Sequence, residues 1–249
     1  MGKLLPAQSL QYSKFSEQQR LAVEDGEMES KVNYWRSELA ESPQALPLLP
    51  FSISMARKPV LRYEHNEVGR HIDAKLAGRK KEMCRKQKAN LFHFYLAVME
   101  ATLLRLLDTE DPWTGMADAN RFEGGLSESM GMYLNLLPRL NRGQQFQGAL
   151  TDTRRKGIRR RGEFSPLFQA FISYRAGVAE KRRRGTVEGA GENIRHETRI
   201  NVIAPKQFYS ADNATVLLDA YSEFLGYFSR DPSASLESAP LPKGTQTPN

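Results

Sequence analysis

The sequence predicts an α/β fold in which helices pack on sheets. Three observations carry that expectation. Helical and strand patterns alternate along the 249 residues. The segment Leu91 to Leu107 has a helical length but is apolar on most sides (Phe92, Phe94, Leu96, Val98, Leu103, Leu104, Leu106, Leu107), the mark of a helix buried against a sheet. The run Met130 to Leu137 is short and apolar, which suits a buried strand.

The elements are expected in this order. Ser16-Glu-Gln-Gln19 has capping-box spacing and opens a helix to about Glu27. A second helix places Val32, Trp35 and Leu39 on one face. Residues 42–50 hold three prolines and read as a surface linker. Leu61 to Ile72 reads as a strand with imperfect alternation. Asp73 caps a basic amphipathic helix to about Lys88, with Leu76 and Met83 inward, and Asn90 caps the buried helix at Leu91. Trp113 to Ala117 is a short strand. Arg121 to Ser129, with Gly124-Gly125, is a loop. A helix is expected over Phe146 to about Lys156, and strands over Leu167 to Tyr174 and Arg199 to Ile203. Ser210 caps a last helix to Phe228, striped by Val216, Leu217, Tyr221, Leu225 and Phe228. From Asp231 onward Pro, Ser, Gly and Thr dominate, so residues 232–249 are expected to be disordered.

Composition narrows the class of function. Hydrophobic content of 40% supports one ordinary core. A single cysteine, Cys84, excludes a disulfide framework and a thiolate metal cluster, so the expected compartment is reducing and cytoplasmic. No apolar run is long enough to span a bilayer. Net charge is +7, concentrated in Arg154-Arg-Lys156, Arg159-Arg-Arg161 and Lys181-Arg-Arg-Arg184. Such runs attract phosphate or other anions. Nucleic-acid modules add a fold signature or interleaved aromatics, and neither accompanies these runs, so nucleic acid is the weaker reading and a solvated basic loop the plainer one.

A set of segments then points to a family. In order they are Leu5-Pro-Ala-Gln-Ser-Leu-Gln-Tyr-Ser-Lys-Phe-Ser16, Tyr34-Trp35, Leu46-Pro-Leu-Leu-Pro-Phe51, Phe92-His-Phe-Tyr-Leu-Ala97, Gly115-Met-Ala-Asp-Ala-Asn-Arg121, Gly131-Met-Tyr-Leu-Asn-Leu-Leu-Pro138, Ser165-Pro-Leu-Phe-Gln169, Ile172-Ser-Tyr-Arg175 and Phe208-Tyr-Ser210. Together they resemble the later part of a condensation domain from fungal nonribosomal peptide synthetases and hybrid polyketide–peptide synthetases. The resemblance implies a chloramphenicol-acetyltransferase-like α/β sandwich of two lobes with the active site in a tunnel between them. It implies a division into 1–50 (end of a first lobe and linker), 51–231 (a shortened second lobe) and a tail. It also implies amide formation between carrier-bound thioesters, with phosphopantetheine presented by an acyl or peptidyl carrier protein and no cofactor or metal held by the chain itself.

Departures from the family pattern bear on activity. The family's catalytic HHxxxDG has no counterpart here. The four histidines are His65, His71, His93 and His196, none in an HxxxD arrangement and no two adjacent. A general base must lie within hydrogen-bond reach of the proton it takes, so no catalytic residue is assigned and the chain alone is expected to be inactive. An active acyltransferase with its first lobe supplied in trans is the alternative. Lys14 stands where the family has Asp, and the family segments "PFD" and "YDLSL" are missing, which should expose apolar sheet surface. The resemblance marks Asp118, Asn120, Arg121 and Asn135 as tunnel-lining candidates; each also suits a turn or a buried amide with structural partners. Arg159, Arg160, Arg161, Arg182 and Arg183 are candidates for carrier-protein or anion binding. Ser165 lacks a nucleophile elbow. Cys84 has Lys80, Lys81 and Arg85 near it in sequence, which would lower its pKa if they reached it.

Overall fold

The computed structural model describes residues 11–40, 45–58, 62–107, 109, 112–119, 121, 126, 129–139, 169–174 and 198–240. The expected helix at 146–156, Ser165, His196, the Gly124-Gly125 turn and residues 241–249 lie outside them. Two compact units account for the chain. One comprises Met1–Ala45, Trp113–Leu140 and Arg154–Ser173; the other comprises Leu46–Pro112, Asn141–Thr153 and Tyr174–Asn249. The N-terminal helices therefore share a unit with a central stretch of the sequence.

The first unit holds helices α1 (Tyr12–Glu24) and α2 (Glu29–Glu38) and strands β2 (Thr114–Asp118), β3 (Asn135–Arg139) and β4 (Ala170–Ile172). Helix α1 starts four residues before the expected cap, leaving Ser16 in its interior. Arg20 explains the continuity. It pairs with Glu17 one turn back and with Glu24 one turn on, at distances of 2.7 and 2.5 Å, and such pairs support the helical spacing. Gly26, at φ +76°, follows the Asp25 C-cap and supplies the left-handed residue that ends the helix. In α2 only Trp35 of the expected stripe is buried, while Val32 is exposed.

Strand β2 is central, with β3 antiparallel on one side and β4 parallel on the other. The expected strand from Met130 begins only at Asn135. A local cause is visible. Arg121 takes up the carbonyl oxygens of Ser129 and Gly131, and Gly131 lies so close to Tyr12 that a Cβ there would stand 2.6 Å from the ring. β4 is likewise shorter than expected, three residues long.

The second unit holds β1 (His65–His71), α3 (Ala74–Lys86), α4 (Leu91–Leu107), β5 (Arg199–Pro205) and α5 (Ala211–Arg230). β1 and β5 form an antiparallel ribbon running from the His65–Pro205 pair to the His71–Arg199 pair. Helix α5 packs against this ribbon, α3 and α4. All three helix starts follow local signals. Asp73 accepts a hydrogen bond from the Lys75 amide, Asn90 Oδ1 from the His93 amide, and Ser210 forms a reciprocal capping box with Asn213. The core is α4 against α5, with Phe94, Leu96, Val98, Phe224, Leu225 and Phe228 all fully enclosed. Tyr221 threads its hydroxyl through this core to the Tyr95 carbonyl at 2.9 Å.

Two segments read as loose from composition are packed. Leu46 and Leu49 are buried, the Leu49 amide donates to the Tyr209 hydroxyl, and Ser52 Oγ donates to the Phe208 carbonyl. The expected surface linker is thus anchored by its own leucines. Residues 231–240 form successive turns. Asp231 accepts from the Ser233 amide and hydroxyl, the Tyr227 and Ser238 hydroxyls lie 2.9 Å apart, and Ala239 is buried.

Candidate functional site

The "ADANR" segment and the "NLLP" segment meet. Asp118 and Asn135, two of the four tunnel candidates, are directly opposite residues at the end of the β2–β3 ladder. The two-residue alternation of strands puts them on the face that carries Met116 and the buried Leu137. Both are half-buried. A carboxylate, an acceptor, and an amide, both donor and acceptor, are therefore held side by side at a strand end. Asn120 lies outside the described residues.

Arg121 is used differently. Its Nη1 donates to the carbonyls of Leu126 and Ser129, and its Nη2 donates to the carbonyl of Gly131 at 3.1 Å. The guanidinium carbon sits 4.6 Å from the centre of the Tyr133 ring. The Tyr133 hydroxyl lies 2.6 Å from Ser129 Oγ, and its ring meets Tyr12 and Phe15 edge-on at 5.3 and 4.8 Å. Arg121 thus fastens the segment that leads into Asn135. Gly131, Tyr133 and Tyr12 are partners that sequence reasoning did not single out. The one local hint was a glycine inside an otherwise apolar run.

The basic runs containing Arg159, Arg160, Arg161, Arg182 and Arg183 lie outside the described residues, as does His196. Of the other three histidines, His65 and His71 mark the two exposed ends of β1, and His93 is half-buried in the first turn of α4. Among the described residues, no three His, Cys, Asp or Glu side chains gather in a metal-binding group, and no helix is long and apolar enough to cross a membrane.

The second unit buries a lysine beside a tyrosine and a cysteine. Lys80 is 1% exposed and donates to the Tyr95 hydroxyl at 2.5 Å. Burial lowers its pKa from the ordinary 10.5 to about 8. Cys84, one turn along α3, is also buried, and burial pushes its thiol up to about 11 although Lys80 pulls the other way. The expectation of a lowered thiol pKa fails because burial outweighs the neighbouring positive charge. The Tyr95 ring also meets Tyr174, with centres 5.6 Å apart.

An antiparallel ribbon packed under capped helices, a mixed three-stranded sheet and the paired "ADANR" and "NLLP" strands define a condensation-type α/β protein. The chain belongs to the condensation-domain family, whose sequence model matches residues 1–161. It is 39% identical over 279 aligned residues to the hybrid PKS-NRPS synthetase xenE of Xenoacremonium sinensis, covering 96% of this chain and 7% of the synthetase. Among solved structures, the condensation domain of the Monacolin K polyketide synthase MokA matches with a TM-score of 0.74 and 24% identity, over 95% of this chain and 64% of that one. The X-domain from teicoplanin biosynthesis matches with a TM-score of 0.72 and 16% identity, over 96% and 63%. The fold is the chloramphenicol-acetyltransferase-like one of these domains, shortened. The chain spans a small fraction of the synthetase it matches and less than two thirds of the solved domains.

Proposed function

We propose that this chain acts as one part of a condensation site, holding a carrier-bound thioester without forming the amide bond by itself. The observation that carries the reading is the pairing of Asp118 with Asn135 across β2 and β3, in a family that joins carrier-bound groups. In this reading the half-buried carboxylate and amide orient the polar part of the pantetheine arm or the incoming amine. Arg121 fastens the segment that leads into Asn135. The family's paired histidine motif has no counterpart in the sequence, and a proton acceptor at the reacting amine is what amide formation requires. Carrier proteins are acidic and present a phosphate, so Arg159, Arg160, Arg161, Arg182 and Arg183 supply the electrostatic match. The partner is therefore an acyl or peptidyl carrier protein, the phosphopantetheine belongs to that partner, and the work is done in the cytoplasm.

The test is binding of a holo carrier domain from a related hybrid synthetase, followed by calorimetry at rising salt. The reading expects affinity that falls with ionic strength, falls further on replacing Arg159 to Arg161 with alanine, and weakens for Asn135→Ala. Binding that is absent, or indifferent to salt and to both changes, would contradict it.

A further inference from the structure

In the second unit, the last turn of α4 and the turn segment 231–240 border a recess of about 220 Å³, lined among the described residues by Leu104, Arg105, Leu236 and Glu237. Neither wall is loose. α4 is anchored through the buried Leu103 and Leu106. The segment 231–240 is held by the Tyr227 and Ser238 hydroxyls at 2.9 Å, by the Ala239 amide donating to the Leu236 carbonyl at 3.2 Å, and by the burial of Ala239. A space of this size lies below the range that suits drug-sized ligands and fits a smaller molecule.

The lining combines two unmatched charges with two apolar groups. Arg105 is half-buried, and its Nε is enclosed with no hydrogen-bond acceptor. Leaving an enclosed guanidinium nitrogen without an acceptor is costly. Glu237 is exposed, and among the described residues neither side chain takes part in an ion pair. Leu104 and Leu236 are half-buried. Arg105 stands in the last turn of α4, where the negative end of the helix favours a cation. This set discriminates among ligands. A simple anion would be repelled by Glu237 and a simple cation by Arg105. A molecule bearing both charges escapes both penalties. A guanidinium grips a carboxylate through two parallel hydrogen bonds, and a glutamate accepts from an ammonium. An aliphatic group beside the leucines completes the fit.

We infer that this recess binds a free aliphatic α-amino acid, with its carboxylate on Arg105, its ammonium on Glu237 and its side chain against Leu104 and Leu236. The bound molecule bridges the end of α4 and the segment 231–240. The site is separate from the Asp118–Asn135 pair, which belongs to the first unit. It also stands without the carrier reading, because no carrier takes part in it.

Calorimetry of the full chain with L-leucine tests the inference. Saturable binding is expected, weakened roughly tenfold by Arg105→Ala and by Glu237→Gln. Arg62→Ala, at an exposed arginine elsewhere in the unit, should leave it unchanged. Two analogues divide the recognition. L-leucinamide lacks the carboxylate and 4-methylpentanoate lacks the ammonium, and each should bind about tenfold more weakly than leucine. Amide exchange should slow over residues 231–240 when leucine is bound and stay the same over residues 129–139. Glu237 is exposed, so Glu237→Gln keeps the fold and remains decisive if Arg105→Ala does not fold. No binding of leucine at millimolar concentration overturns the inference. So does binding that ignores Glu237→Gln, which puts the ligand elsewhere. Equal binding of 4-methylpentanoate or of leucinamide overturns it too, since a site for a single charge would then be what the chain holds.

Discussion

The Arg121 guanidinium lies over the Tyr133 ring, 4.6 Å from its centre, while donating to three backbone carbonyls of the segment that precedes that ring. A planar fork of donors is needed for this, because one face must stack while the edges reach separate acceptors. Arg121→Lys should therefore recover little of what Arg121→Ala loses. Each change should destabilise the protein by about 2 kcal/mol, the scale of losing charged hydrogen bonds to partly buried carbonyls. Urea unfolding measures the loss, and faster amide exchange over residues 129–135 locates it. A fully stable Arg121→Lys protein would show that charge alone suffices.

Gly131 makes the complementary argument from space. A Cβ there would stand 2.6 to 2.8 Å from three atoms of Tyr12. Gly131→Ala should push Tyr12 off Tyr133 and cost about 1–3 kcal/mol, the usual range for forced overpacking. Thermal unfolding reads the cost, and altered near-ultraviolet dichroism of the tyrosines reads the displacement. An unaltered melting temperature would mean that Tyr12 moves aside freely.

Lys80 predicts a pH dependence with a definite sign. Its folded pKa of about 8 is below the ordinary 10.5. Below pH 8 both folded and unfolded states carry the proton, and the folded state bears the full cost of the buried charge. Above pH 8 the folded state gives up the proton while the unfolded state keeps it, so stability rises with pH. Cys84 acts oppositely: its folded pKa of about 11 lies above the ordinary 9.0, so from pH 9 upward it erodes the gain. Stability should climb by about 1 kcal/mol between pH 8 and 9 and then flatten. Denaturant unfolding across pH 7.5–10 tests this, and Lys80→Met should abolish the climb. A climb that persists in that variant would assign it to another group.

Cys84 should also be inert in the native protein. It is buried, and its thiol is held protonated at neutral pH. Ellman's reagent should leave it unmodified until the protein is unfolded, when one thiol per chain should react. Rapid native labelling would show that α3 opens readily.

The helices α3, α4 and α5 were legible because their signals are local: a capping side chain at Asp73, Asn90 or Ser210, followed by apolar residues at helical spacing. The meeting of Asp118 with Asn135 was legible only through the family resemblance, since seventeen positions separate them and no short-range pattern pairs them. Other features could not be read at all. Lys80 looks like a surface charge on a basic helix, and only the fold around Tyr95 reveals it as buried. Arg121 looks like a loop residue facing a ligand, and its three carbonyl acceptors come from backbone atoms that carry no sequence signal. Leu46 and Leu49 sit among prolines that suggest a free linker, and the docking partner at Phe208 and Tyr209 lies some 160 residues away. Ser16 misled because a capping box is a pattern that helix interiors also contain.

The measurement that reaches the central claim most directly is amide formation itself. The full chain is incubated with an acyl thioester on a holo carrier domain and an aminoacyl thioester on a second carrier, and the products are read by mass spectrometry of the pantetheine arms. The account predicts that the donor carrier is bound and its thioester recovered unchanged, with no peptide or amide product. Amide formed by the isolated chain at a rate above the carrier-only control, and lost on replacing His65, His71, His93 or His196, would contradict it.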